Sequence, residues 1–355
     1  MKFIHFADMH FDAAFTLLSA KENLGIKRRM EQRQIFNNII EKVKQEQAKY
    51  LFIAGDLYEQ TYIRESTIEF INNKFKEIPD THIYIAPGNH DPYIKNSYYN
   101  TYEWAKNVHI FNKNLELIET PEVDVYGYGF TDYTLLDTNI ENLNIKNKNK
   151  INVLITHGTL DGSTGAEKLY NPVKRNSLER LGFDYIALGH IHKTNLKPGE
   201  RIVYPSSPVS LGFDELYEHG IIVGELTKEK LETKFIETDT SRFIEKCIDI
   251  TTIKSQEELI EEINNLSLAQ NEFCKIYLTG TKNFDINNYS ILKSLENSNI
   301  LKLKDATQIP YNLEELQQEN TLKGIFVKNL LEKAKQNPEN TEIQKAIEIG
   351  LSILE

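Results

Sequence analysis

Nine residues able to bind cations or move protons recur along the first 192 positions, each just after a short apolar run. They are Asp8 and His10, Asp56, Asn89, His90 and Asp91, His157, and His190 and His192. Alternate residues of an extended segment point to the same side, so the pair in Asp8-Met9-His10 can reach one ion. His190-Ile191-His192 repeats that spacing, and the turn-forming Gly189 before it leaves open whether its two imidazoles serve one ion or two. A carboxylate has two oxygens, which makes the isolated Asp56 the natural bridge of a two-metal site. In Gly88-Asn89-His90-Asp91 an amide oxygen offers a hard neutral ligand, an imidazole offers proton transfer, and a neighbouring carboxylate can orient that imidazole. Five of the nine histidines fall at these places; His5, His82, His109 and His219 do not, and read as structural.

The elements that must position these groups are strands, because open α/β sheets hold ligands at the C-terminal ends of their strands. Apolar runs predict strands over 2–7, 50–54, 82–85, 151–156 and 184–188, each ending where one of the motifs begins. Gly55 and Pro87-Gly88 supply the breaks. Helical spacing is expected from Ile26 to about residue 46, over 64–77 and near 174–181. Lys27, Arg28, Arg29 and Arg33 make the first of these helices basic, which reads as a solvated face rather than a phosphate contact. Tyr93, Tyr98, Tyr99, Tyr102 and Trp104 form either a base-stacking surface or a packing layer. Further strands are expected near 108–111, 115–119 and 123–130. A loop with Gly162, Ser163 and Gly165 follows His157, and 195–204 with a hairpin across 219–238 reads as an antiparallel continuation.

A composition change at 239–242 separates a first domain, 1–240, from a small α/β module over 241–310. That module has expected strands at 243–250, 273–280 and 300–305, helices at 255–266 and 286–296, and Pro310 at its end. Residues 318–355 form a helical segment with amphipathic helices at 321–335 and 339–354, broken at Gln336-Asn337-Pro338. A chain of 355 residues suits about two domains of this kind. The net charge of −11 argues against coating nucleic acid by bulk electrostatics, but is compatible with an enzyme whose local field comes from bound cations. Two cysteines are too few for a disulfide framework. The opening residues read as a strand rather than a signal peptide, and no run is long enough to span a bilayer. The expected location is therefore the cytoplasm, with no membrane partner.

In order, the motifs read Asp-x-His, Gly-Asp, Gly-Asn-His-Asp, His-Gly and Gly-His-x-His. Over residues 8–192 this pattern resembles the calcineurin-like metallophosphoesterase superfamily. Three stretches resemble its DNA-repair exonuclease branch, the SbcD and YhaO type: Ala7-Asp8-Met9-His10-Phe11-Asp12, Gly88-Asn89-His90-Asp91-Pro92, and Phe183 to His192. Tyr204-Pro205-Ser206-Ser207-Pro208 is similar to a segment of that branch in which glycine usually stands at the Ser206 position.

The resemblance implies an α/β fold, a four-layer α/β/β/α sandwich followed by a small α/β capping domain and C-terminal helices. It implies two divalent ions, one on Asp8, His10, Asp56 and His192 and the other on Asp56, Asn89, His157 and His190. Mixed oxygen and imidazole ligands suit Mn²⁺ or Fe²⁺, with Mg²⁺ a further option. His90 would then sit beside the scissile phosphate, with Asp91 holding its ring. The implied activity is exonuclease cleavage of DNA, with single-strand endonuclease activity as an addition, in the nuclease subunit of a DNA repair complex. The resemblance implies an SMC-like coiled-coil ATPase as partner, docked through the C-terminal helices; packing of those helices back on the capping domain is the alternative reading, and a homodimer is a further expectation. The alternative is a phosphodiesterase or phosphatase acting on small molecules or proteins. Gly55–Gln60 and Pro87–Asp91 lack the arginines of the protein phosphatases, which weighs against the monoester form.

Overall fold

Strands β1 (Lys2–Phe6), β2 (Tyr50–Ile53), β3 (His82–Ile85) and β4 (Val108–Ile110) run parallel in the computed structural model. The structure describes all residues except 16, 17, 19–22, 113, 114, 137–139, 163–169, 309–311, 337–340 and 355. The expectations that fall on Ser163, Gly165, Pro310, Asn337 and Pro338 lie outside the described residues. Register carries Phe3 against Tyr50 and Tyr50 against His82. All four residues of β2 are buried, as befits a parallel strand covered on both faces.

A second sheet contains β5 (Glu116–Glu119), β6 (Val123–Tyr128), β7 (Ile151–His157), β8 (Tyr185–Gly189) and β9 (Ile202–Val203), in that order. Strands β6 to β9 are parallel, and β5 is an antiparallel edge. The hairpin β10 (Gly220–Leu226) and β11 (Leu231–Glu237) belongs to the first sheet, where β10 pairs antiparallel with β1. This corrects the expected continuous antiparallel extension. Within 195–204 only two residues form a strand, they pair parallel to β8, and the chain then crosses to the other sheet. A partner strand is set by tertiary packing, which periodicity does not report.

Side-chain alternation shows why the sheets stack. Phe3, Phe52 and Tyr84 on one sheet share a buried cluster with Val125, Val153 and Tyr185 of the other. The opposite face of the first sheet, through Ile4, Phe6, Leu51, Ile53 and Ile83, packs on two helices. These are α1 (Leu24–Glu46), through Ile35, Phe36, Ile39 and Ile40, and α2 (Glu65–Lys76), through Ile68, Ile71 and Phe75. A short α3 (Tyr98–Thr101) follows β3. The outer face of the second sheet, through Leu154, Ile186 and Leu188, packs on Leu178 of α4 (Arg175–Leu181). The result is the α/β/β/α order of layers, with every strand end that carries a motif at one edge of the paired sheets.

The tyrosine-rich stretch is a packing layer. Tyr99 is buried, and Tyr93, Tyr98, Tyr102 and Trp104 pack against the helix-side core. The basic face of α1 is solvated only in part. Arg28 is fully buried, and its guanidinium donates to Asp239 and to Ser210 O and Oγ.

Contacts divide the chain into two units, Met1–Glu245 with Leu268–Lys275, and Lys246–Ser267 with Ile276–Glu355. The division falls within the strands β12 (Arg242–Asp249) and β13 (Glu272–Thr279), which form a three-stranded sheet with β14 (Ile300–Asp305), β13 in the middle. Helices α5 (Gln256–Asn264) and α6 (Asn288–Ser294) are capped by Ser255 and Asn287. A short α7 (Leu313–Leu316) precedes α8 (Leu322–Gln336) and α9 (Thr341–Ile353). These helices bury Val327, Ile347 and Leu351 in a cluster with Leu313, Leu316 and Phe326.

Candidate metal centre

Four of the site residues are aimed by sharp turns at the ends of their strands. Asp8, His10 and Asp56 have φ of +56°, +48° and +51°, and His190 has +102°. Left-handed backbone at a non-glycine residue costs about 1–2 kcal/mol, so the surrounding contacts must hold these turns. Backbone bonds do so: Asp8 N donates to Gly55 O and His10 N to Asp56 O, at 3.0 and 2.9 Å. Two glycines are required by close approach. A Cβ at Gly88 would strike the Asp56 carboxylate, and one at Gly189 would strike Ala54 O and the Ala7 side chain.

The structure brings Asp8, His10, Asp56, Asn89, His157, His190 and His192 together, with His90 beside them. Ligand atoms of Asp8, His10 and His192 lie within 4.8 Å of one another, as do those of Asp56, His157 and His190, and those of His10, Asp56 and His90. Asn89 Oδ1 stands 3.0 Å from His157 Nε2 and 3.2 Å from His190 Nδ1. His190 and His192 fall in different groups, because His190 turns back at its positive φ.

Burial disfavours the charged form of Asp56, yet His157, followed by His10 and His90, holds its carboxyl far below the usual carboxylate range. Burial wins at Asp8 and raises it. Burial also opposes charge on His157 and His192. Asp56 nevertheless lifts His157 to about 9, and Glu215 with Asp8 lifts His192 to about 9. His190, partly desolvated and facing His157, is lowered to about 3. His90, exposed at the rim, is raised to about 9 against partial desolvation, by Glu59 first.

Asp91 does not hold the His90 ring, contrary to the expectation from sequence. It is fully buried and accepts from three backbone N–H groups, Asp56 N, Leu57 N and Gly88 N, and from Tyr99 OH. Its task is to clamp the Gly-Asp turn to the Gly-Asn-His turn. The ring is held instead by Glu59, whose Oε2 is 3.0 Å from His90 Nδ1 while its Oε1 is 2.7 Å from His10 Nδ1. The reason is reach: the turn places Asp91 behind the loop, whereas Glu59 lies on the open side, three residues past Asp56.

The donor set fits divalent cations. His10 Nε2 and His192 Nε2 face each other at 3.1 Å. Their Nδ1 atoms are engaged by the carboxylates of Glu59 and Glu215, so in the neutral rings that a cation requires both Nε2 lone pairs point into the same space. His157 Nδ1 donates to Ala54 O at 2.8 Å, which turns its Nε2 lone pair toward Asp56 Oδ2 and Asn89 Oδ1. A cation here would take the place of the protons that these ring nitrogens otherwise carry, so its binding would release protons.

A profile of the calcineurin-like phosphoesterase family matches residues 1–194. The chain belongs to this family. Members of this family of metallophosphoesterases bind two divalent metals, and the groups described above are candidate ligand clusters for such ions. Among its relatives, the uncharacterized metallophosphoesterase YhaO of Bacillus subtilis is 24% identical over 281 residues, covering 75% of this chain and 67% of the relative. The SbcD component of the nuclease SbcCD of Staphylococcus saprophyticus is 26% identical over 281 residues, covering 69% and 71%. The corresponding SbcD component of Staphylococcus epidermidis is 27% identical over 252 residues, covering 61% and 63%.

Two residues of the phosphoesterase site have no motif to announce them. Glu59 lies next to the Gly-Asp turn, where its spacing is a usable signal. Glu215 lies beyond the matched residues in an irregular segment and has none. Ser206 has φ of +83°, which explains why glycine suits that position. Its Oγ donates to His192 O, an interaction glycine lacks.

Proposed function

We propose that this phosphoesterase hydrolyses phosphodiester bonds in DNA with two divalent cations, as the nuclease subunit of a repair complex. The observation that carries the reading is the convergence of seven oxygen and imidazole donors from five strand ends, with a further imidazole at their open side. Asp8, His10, Asp56 and His192 are assigned to one cation, and Asp56, Asn89, His157 and His190 to the other, Asp56 serving both. Bound cations would supply Lewis acidity toward the phosphodiester and a water of lowered pKa. His90 is assigned to the substrate rather than to a cation. Glu59 takes its Nδ1, leaving Nε2 to meet the phosphate, and its side chain is 44% exposed while that of His157 is closed off. It stabilises the charge that builds on phosphorus or protonates the leaving oxygen.

DNA as substrate is supported by the two relatives named as nuclease components and by the missing arginines of the phosphatase pattern. Mn²⁺ is the proposed activator. An SMC-like ATPase is the proposed partner of the helices within 318–355, and a homodimer is the proposed assembly. The test is digestion of end-labelled duplex and single-stranded DNA with Mn²⁺ and with chelator. Mn²⁺-dependent release of nucleotides is expected. Hydrolysis of a nitrophenyl phosphodiester without cleavage of either DNA would transfer the assignment to small-molecule diesters.

A further inference from the structure

We infer that Glu215 is a positioning residue that sets the strength of one cation position by fixing the His192 ring. The inference rests on the two-cation reading above and concerns how unlike the two positions are. Around the position assigned to Asp8, His10 and His192, both imidazoles are backed by carboxylates, Glu59 on His10 Nδ1 and Glu215 on His192 Nδ1. Around the position assigned to His157 and His190, the backing is neutral. His157 Nδ1 meets the Ala54 carbonyl, whereas His190 Nδ1 faces Asn89 Oδ1, another donor assigned to the same position, so its contact is between ligands and not a backing. A carboxylate behind an imidazole fixes its tautomer and raises its basicity more than a neutral acceptor does. The first position should therefore bind more tightly than the second.

Glu215 is itself held in place. Its Oε2 accepts from Leu211 N at 2.8 Å, and its backbone carbonyl lies 3.2 Å from His219 Nε2. Ser210, which precedes Leu211 in that loop, donates through N and Oγ to Asp239, which is paired with buried Arg28. The carboxylate thus reaches His192 from a loop pinned to α1, so its aim does not depend on a bound cation. Glu59 shares its two oxygens between His10 and His90, whereas Glu215 gives one oxygen wholly to His192. Glu215 is consequently the residue whose loss acts on a single position.

The experiment is calorimetric titration of the full chain with Mn²⁺ alone, comparing wild type with Glu215→Gln and Glu215→Ala. Wild type should show two binding events of unequal affinity. Glu215→Gln, which keeps an acceptor but no charge, should weaken the tighter event by about tenfold. Glu215→Ala should weaken it by up to about a hundredfold, with the weaker event unchanged in both. The metal-free Glu215→Gln variant, whose amide oxygen can still accept from Leu211 N, should melt close to the wild-type temperature. Two unchanged events in both variants, or equal loss of both together with a lower metal-free melting temperature, would overturn the positioning role. A wild-type chain that binds no Mn²⁺ would instead overturn the cation assignment on which it stands.

Discussion

His90 and Asp56 sit about equally deep in the sequence pattern but differ in what their loss should do. His90→Ala should retain both cations while diester hydrolysis falls by roughly 10²–10⁴, since the ring is assigned to the substrate and not to an ion. Asp56→Ala should empty both positions, because it is the shared carboxylate. Metal content after desalting, with nitrophenyl diester turnover, separates the two. Loss of both cations in His90→Ala, or two retained in Asp56→Ala, would show that the assignment is wrong. Asp91 makes a contrasting case. Three backbone N–H groups and Tyr99 OH converge on its carboxylate, so Asp91→Ala strands buried donors. Each such donor costs about 1–3 kcal/mol, and urea unfolding should show a loss of at least about 3 kcal/mol. Residue types and their order were legible here, whereas the partner of His90 was not. Asp91 adjoins His90 in sequence while Glu59 lies 31 residues away, and only the fold decides which carboxylate faces the ring.

At the scale of elements, α1 is tied to the end of the first unit by the Arg28–Asp239 pair. Arg28→Met should leave Asp239 buried without its partner and cost about 3–5 kcal/mol in denaturant unfolding. The same pair gives a pH dependence of defined sign. Burial alone would raise the Asp239 carboxyl, but Arg28 and Ser210 hold it below its ordinary value. A depressed carboxyl contributes stability that is fully present above its unfolded pKa of about 3.9 and is lost as pH falls through the folded value. Urea midpoints measured from pH 6 to pH 3 should therefore fall less steeply in Asp239→Asn than in wild type. Equal slopes would remove this pair from the acid limb. The basic character of α1 was visible in sequence. Its burial was not, because the acid that neutralises Arg28 lies 211 residues away.

At the scale of the whole molecule, the second unit supplies α8 and α9, whose Val327, Ile347 and Leu351 are covered by their own helical neighbours while Leu322, Ile325, Ile349 and Ile353 stay exposed. Removing residues 318–355 should leave Mn²⁺-dependent hydrolysis of a small diester at the wild-type rate and abolish co-purification with a coiled-coil ATPase. Full retention of that partner would place its docking surface elsewhere, and loss of hydrolysis would show that the first unit needs these helices to fold. What the sequence by itself determined is the set of strands and the groups at their ends, because apolar runs and Gly or Pro breaks are local signals. Five such ends in one order sufficed for the family and its layered fold. Tertiary structure alone decided which sheet receives the 219–238 hairpin, which ring nitrogens face the cation positions, and which carboxylates aim them. Those outcomes depend on pairs such as His192 with Glu215 and His10 with His192, 23 and 182 residues apart. Local periodicity carries no information about such pairs, since only the stacking of the two sheets brings the strand ends within hydrogen-bonding distance.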